Sequence, residues 1–384
     1  MVDPGLREPG LPRTAKVRDK ALRTGWTTGA CSAAAAKAAA ILLKGQEQSS
    51  HVDIPLPVPF QGSDRATFAV ERAGAGDDWV EAVVVKDAGD DPDVTHGAHL
   101  TVRLRWRDEP GVGFEGGDGV GTVTKPGLGL PVGEPAINGV PRQMVTAAID
   151  EVIDLDHRGV VCTISVPDGE RMARKTTNRR LGILGGISIL GTTGVVRPFS
   201  TASWRASVTQ AVDVLAAQGA DVVVLSTGGR TERAAMQLLP DLDESHFIEV
   251  GDFTGAAMRH AVDGKLQRVV FVGMAGKLAK LAAGILMTHY TRSKVDTDLL
   301  AAVSAAAGAE QAVVDAVRQA NTARHAYELW REHDLEGAAH RLCARVETNL
   351  ARFAENRLAV ACAMVDFDSL EAVGLGPGWR EAAR

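Results

Sequence analysis

Three short turns set hydroxyls or a carboxylate beside bare main chain, Gly191-Thr192-Thr193-Gly194, Ser226-Thr227-Gly228-Gly229 and Gly251-Asp252, and a fourth, Gly273-Met274-Ala275-Gly276, is glycine-bounded without them. Glycine lets a ligand approach backbone N–H groups closely, and Thr or Ser hydroxyls complete its hydrogen bonds. Each turn follows a short apolar run that reads as a buried strand, and open α/β sheets collect ligands beyond the carboxyl ends of their strands. Gly191, Thr192, Thr193, Thr227, Gly228, Gly229, Asp252, Gly273 and Gly276 are therefore expected to line a cofactor crevice at one sheet rim. One such turn is more often plain turn chemistry; the succession of four points to binding. Neither G-x-G-x-x-G after a strand nor G-x-x-x-x-G-K-[ST] occurs, which takes weight from NAD and ATP.

Near the N-terminus, Thr24-Gly25-Trp26-Thr27-Thr28-Gly29 runs into an alanine-rich stretch. Thr27, Thr28 and Gly29 suit an anion held at a helix N-terminus. They equally suit a capped helix start, with Thr28 or Ser32 as the cap. Cys31 reads as a small buried residue, because no His lies in its motif. Between Arg171 and Arg180 stand five basic residues and no acid. Arg171, Arg174, Lys175 and Arg179, with Lys125, are expected to bind the carboxylates of a polyanionic small substrate; a solvated charged face reads as well from spacing. Asp118 and His289 are the acid–base candidates, His289 because its ordinary pKa lies near neutrality. Four scattered cysteines and no Cys/His spacing imply no protein-bound metal and no disulfide framework.

The elements that must hold these residues change character midway. A helix over 31–43 is followed by strands at 66–73, 80–86 and 99–106, which read as α+β. From 110 to 142, ten glycines and five prolines exclude regular structure over most of a long loop, whose interleaved Val, Phe, Leu and Ile favour packing over a flexible surface excursion. A helix at 144–153 and a strand at 159–166 follow. Then come strands at 186–190, 221–226, 247–250 and 268–272, alternating with helices at 203–218, 232–239, 255–262 and 277–287. That alternation predicts a mostly parallel sheet covered by helices. After 296 the chain reads as helical, with a last strand at 357–366. With 384 residues, two domains are expected: an α+β domain over 1–195 and a three-layer α/β domain over 196–384.

A formal charge of −6 argues against nucleic acid as partner. The longest apolar run, 33–43, contains Lys37 and is too short to cross a bilayer, and residues 1–20 lack the order of a secretory signal; a cytoplasmic protein is expected.

The stretches Leu22–Cys31, Asp118–Leu128, Gly133–Asn138 and Gly276–Gly284 closely resemble the CbiD family, in order from about Leu22 to Asp296. Trp26 stands where many relatives have tyrosine, and the segment after His289 departs from the commoner short form. The resemblance implies a cobalt-precorrin-5B (C-1)-methyltransferase of anaerobic cobalamin biosynthesis, with S-adenosylmethionine as cosubstrate and a cobalt-bearing, carboxylate-fringed tetrapyrrole as substrate. Any cobalt then arrives with the ring. A homodimer and passing contacts with neighbouring pathway enzymes are compatible with that role. Two other readings stay open on sequence: a nucleotide-dependent small-molecule kinase, suggested by the small-residue helix after Thr28-Gly29, and a non-catalytic tetrapyrrole carrier.

Overall fold

The computed structural model describes residues 5–10, 22–289, 291 and 293–382. Residues 22–200 form one compact unit, and residues 5–10 with 201–382 form the other. The division expected at 195 thus falls at 200. Residues 5–10 join the second half because their backbone is paired there: Arg7 N–H donates to the Gly284 carbonyl at 2.7 Å, and Leu286 N–H donates to the Arg7 carbonyl at 2.8 Å.

In the first unit the alanine run is helical over Thr28–Leu43. Alanine favours the helix and leaves little bulk on it, so residues 28–40 are buried on all sides save at Lys37. The helix packs on a five-stranded sheet ordered Arg72–Ala75, Val80–Val85, His99–Arg107, Gly159–Ser165, Val112–Gly116, antiparallel except for the last pair. The helix Gly139–Asp150 packs against the alanine helix and His51–Phe60. The expected strands and helix recur with shifted ends. The strand expected at 66–73 is split between Arg72–Ala75 and Ser63–Ala69, which forms a hairpin with His51–Phe60; only His51–Phe60 is additional, and its three prolines fit because both members of a two-stranded ribbon are edges.

The start of the alanine helix is a clasp. Thr27, not Thr28 or Ser32, is the cap: its Oγ1 accepts from Ala30 N–H at 3.1 Å. The Thr28 hydroxyl accepts from Leu190 N–H at 2.9 Å, and Gly29 N–H donates to the Leu190 carbonyl at 3.0 Å. Thr27 N–H donates to the Gly194 carbonyl at 3.0 Å. Gly191, at φ +130°, lies flat on the Thr27 side chain with no room for a Cβ.

The glycine-rich segment is woven in rather than loose. Val112–Gly116 is a strand of the sheet, and the following helix starts at Gly139, five residues ahead of its expected start. Val166 N–H donates to the Asp118 carbonyl at 2.7 Å, Ile187 N–H to the Gly119 carbonyl at 2.9 Å, and Ala136 N–H to the Gly121 carbonyl at 2.7 Å. Gly119, at φ +71°, Gly169 and Gly186 meet backbone to backbone; a Cβ on any of them would strike main chain. Residues 186–190, expected as a strand, make isolated bridges at Ile187 and Ile189 to this segment.

The second unit holds a sheet ordered Phe247–Glu249, Val222–Ser226, Arg268–Gly273, Ala359–Val365, Ala372–Leu375, parallel except for the last strand. Val223, Leu225 and Phe271 face one apolar core, with helices Thr201–Ala217, Thr254–Asp263, Ala275–Ala282 and four more from Thr297 to Phe353. Val224, Val270 and Val272 face a smaller core under Gly229–Leu238 and Trp379. Burial on both faces explains why these strands read as short unbroken apolar runs. The expected helix 277–287 stops at Ala282, because Gly284 at φ +79° turns the chain against Gly5.

Two stability outcomes follow. Gly119→Ala should cost about 3 kcal/mol, from a left-handed φ and a backbone collision; a urea-unfolding midpoint equal to that of the parent would show that the segment is not pinned. Thr28→Val should cost about 1 to 3 kcal/mol by orphaning Leu190 N–H; an unchanged urea midpoint would show that the clasp does not depend on this hydroxyl.

Candidate functional site

Within the second unit the chain leaves Val222–Ser226 to build a neighbour on one side, Phe247–Glu249, and then crosses to Arg268–Gly273 on the other. That reversal opens a crevice at the strands' carboxyl ends, where ligands settle in open α/β sheets. The turn after Val222–Ser226 is braced from below: Thr231, 2% exposed, donates its hydroxyl to the Gly228 carbonyl at 2.7 Å and accepts from Thr227 N–H at 3.0 Å. The Thr227 hydroxyl lies 3.3 Å from that of Thr231. Gly228 is extended, and a Cβ there would meet only the Glu249 carboxylate, at 3.9 Å; at Gly229 the same carboxylate lies at 3.7 Å. The helix Gly229–Leu238 begins without a side-chain cap, as does Ala275–Ala282. Both therefore leave backbone N–H groups at the crevice.

The turn after Arg268–Gly273 separates two glycines of different kind. Gly273 is buried, and a Cβ there would press on the Leu278 side chain at 3.0 Å. Gly276 is exposed with nothing within 4 Å of a would-be Cβ. Gly273 is thus a packing residue, while Gly276 keeps an open face.

Asp252 anchors a charged network at the same rim. Its Oδ1 accepts from Lys277 Nζ and from the Thr288 hydroxyl, the latter at 2.9 Å. Lys277 also reaches the Gly251 carbonyl at 3.3 Å, and Lys280 Nζ donates to the Thr288 carbonyl at 2.8 Å. Burial, then the neighbouring Lys277 charge, pulls the Lys280 ammonium below its ordinary pKa, and Asp252 offsets part of that. His289 follows directly, 4% exposed, with Nδ1 2.8 Å from the Thr291 hydroxyl. Asp252 therefore holds the rim together rather than offering a bare carboxylate.

The remaining expected site residues lie in the first unit. Gly191-Thr192-Thr193-Gly194 does not end a parallel strand, so the crevice has three glycine-bearing strand ends, not four. Thr193 folds back on Val195, and Thr192 is exposed. Thr27, Thr28 and Gly29 spend their polar groups on the helix clasp and Gly191 packs on the Thr27 side chain, which removes the anion site and the motif behind the kinase reading. Cys31 is fully buried, and burial pushes its thiol up to about 12. Asp118 is exposed between Gly117 and Gly119. Lys125 packs on Gly182. Arg171 pairs with Asp168 at 3.3 Å and Arg174 with Glu170 at 3.8 Å, acids just upstream of the basic stretch. Lys125, Lys175 and Arg179 make no ion pair among the described residues. No group of three His, Cys, Asp or Glu there could hold a metal, and no helix is long and apolar enough to cross a membrane.

Two rim residues escape a reading by motif. Glu249, the last residue of its strand, follows Gly228 by 21 positions. Trp204 is 45% exposed, and its indole lies against Gly251, 3.5 Å from a would-be Cβ. The distance from a glycine turn to the next strand's final acid signals the first; nothing local signals the second.

A family model described as CbiD matches residues 15–198, and one described as CbiD, C-terminal domain, matches residues 287–372. A protein of Rubrobacter xylanophilus named cobalt-precorrin-5B C(1)-methyltransferase is 63% identical over 374 residues, 97% of this chain and 96% of that protein. One of the same name from Salinispora arenicola is 63% identical over 98% of each chain. The Leptospira borgpetersenii protein of that name is 46% identical over 91% of this chain and 94% of its own. A solved cobalamin biosynthesis protein (cbiD) from Archaeoglobus fulgidus is 28% identical, over 71% of this chain and 83% of that one, with a TM-score of 0.36. Matched by both family models and at this identity over nearly its full length, the chain belongs to the CbiD family.

Proposed function

We propose that this chain is a cytoplasmic methyltransferase that uses S-adenosylmethionine to methylate ring carbon C-1 of cobalt-precorrin-5B in anaerobic cobalamin biosynthesis. Relatives 63% identical over nearly the whole chain bear the name of that reaction. One observation carries the cosubstrate's place. At the crevice between Val222–Ser226 and Arg268–Gly273, Gly228, Gly229 and Gly276 face open space, and two helices start there uncapped. Their N–H groups suit an amino-acid carboxylate, and the bare glycines admit a nucleoside against the main chain.

When bound, S-adenosylmethionine supplies an electrophilic methyl group. The chain's work is then mainly positioning, since holding two reactants in line can lower a barrier by about 7 to 11 kcal/mol. Asp252, Lys277 and Thr288 keep the rim rigid for that purpose. Lys125, Lys175 and Arg179 are the cations assigned to the ring's carboxylates; Arg171 and Arg174 must give up Asp168 and Glu170 to join them. A strong general base is not required, because the ring releases its own proton after attack. His289, beside the rim, is assigned the lesser task of receiving it, with Asp118 as the alternative acceptor.

The test is anaerobic incubation of the purified chain with the precursor and methyl-labelled S-adenosylmethionine. Label on C-1 with matching S-adenosylhomocysteine is expected. Ring binding without turnover would return the carrier reading, and binding of ATP in place of S-adenosylmethionine the kinase. Gly228→Val supplies a second check. Its extended backbone accepts valine, so the melting temperature should hold, while the side chain enters the open crevice and weakens S-adenosylhomocysteine by about tenfold or more. Unchanged affinity would place the cosubstrate elsewhere.

A further inference from the structure

Apart from the crevice, the second unit has an open hollow of about 270 Å³ between the helices Thr201–Ala217 and Thr254–Asp263, lined by Ala202, Arg205, Ala206, Thr209 and His260. The first four recur at i, i+3, i+4 and i+7, so they share one face of their helix. Ala202 and Ala206 leave the room; Arg205 and Thr209 supply polar groups. Arg205 is half-buried and makes no ion pair or hydrogen bond among the described residues. The next acid on that helix, Asp213, is already spent: its Oδ1 lies 2.7 Å from Nδ1 of His260 on the facing helix. The Thr209 hydroxyl donates to the Ala206 carbonyl at 3.1 Å, which leaves its oxygen to accept.

A carboxylate only accepts hydrogen bonds, so Nδ1 of His260 carries the proton, and in the neutral ring Nε2 is an acceptor. No described residue bonds to that atom. The hollow therefore asks for two things at once: negative charge for the guanidinium and an O–H for the imidazole. A simple carboxylate, a sulfate or the dianion of a phosphate ester brings the charge without the O–H. Hydrogen phosphate and hydrogen carbonate bring both. We propose that Arg205 and His260 form a binding site for a small oxyanion that keeps its own O–H, with Asp213 as the positioning residue that sets the imidazole tautomer. The anionic oxygens meet the planar guanidinium, whose fork binds two of them together, and the O–H donates to Nε2. The site does not depend on the methyl transfer proposed above, and none of its residues serves there.

Calorimetric titration of the full chain with hydrogen phosphate, hydrogen carbonate, sulfate and acetate tests it, in a buffer free of all four at about pH 8, where a free imidazole is neutral. At least one of the first two should bind at a single site, about tenfold or more tighter than sulfate and acetate, because those face Nε2 with no donor. Which of the two binds names the ligand. Arg205→Ala should weaken that anion by about tenfold or more. His260→Gln, whose amide both donates and accepts, should keep a weaker affinity for every anion and lose the preference. Asp213→Asn should also erase it while binding sulfate more tightly than the parent does, since an amide N–H donates to Nδ1 and moves the ring proton to Nε2. Failure of both O–H-bearing anions to bind the parent overturns the proposal. So does equal binding of sulfate, or a preference that survives in either the His260 or the Asp213 variant.

Discussion

Main chain touches main chain at Gly119, Gly169 and Gly186 with no side chain between them, and that approach fixes the first unit. Each carbonyl and N–H brought inside must find a partner, and the glycine-rich segment supplies them in sequence through Asp118, Gly119, Gly121 and Ala136. The same accounting ties the helix start to residues 190–194 by way of Thr27, Thr28 and Gly29. Remove one glycine and a backbone carbonyl collides with a Cβ; remove one hydroxyl and a backbone donor is orphaned. The segment is therefore rigid where it is richest in glycine, and only its tip, around residues 125–132, is shaped by solvent rather than by pairing.

The second unit uses glycine for the opposite purpose. At Gly228, Gly229 and Gly276 nothing presses against the missing side chain apart from the Glu249 carboxylate. Glycine here costs unfolded-chain entropy and returns no packing, since a larger residue at Gly228 would fit the backbone as it stands. Such positions make physical sense where something outside the chain comes close. What surrounds them is rigid: Thr231 braces the turn from beneath, and Asp252 ties the rim to helix Ala275–Ala282 through Lys277.

Sequence distinguishes these two kinds of glycine poorly, and this is where its reading and the structure part. The parallel strands and most helices are legible, because unbroken apolar runs and helical spacing report burial directly. Gly191 reads as a strand end because residues 186–190 form a short apolar run, yet Ile187 and Ile189 only bridge to a neighbouring loop. His51–Phe60 is hidden by its three prolines, which count against a strand until both partners are known to be edges. The threonines before the alanine helix look identical whether they cap it or hold a ligand. Trp204 is invisible as a site residue because an exposed aromatic on an amphipathic helix is unremarked until the fold sets it beside Gly251.

Charge along the rim has a direction that constrains any ligand with a sulfonium. Lys277 and Lys280 gather around one carboxylate, Asp252, next to the uncapped start of Ala275–Ala282, so this end is net positive. A cationic centre is repelled from this end, and an amino-acid carboxylate is drawn to it. The depressed Lys280 ammonium fits this picture, since its burial and the nearby Lys277 charge already oppose one more positive group. Of the two uncapped helix starts at the crevice, that of Ala275–Ala282 is therefore the one to which side chains add positive charge.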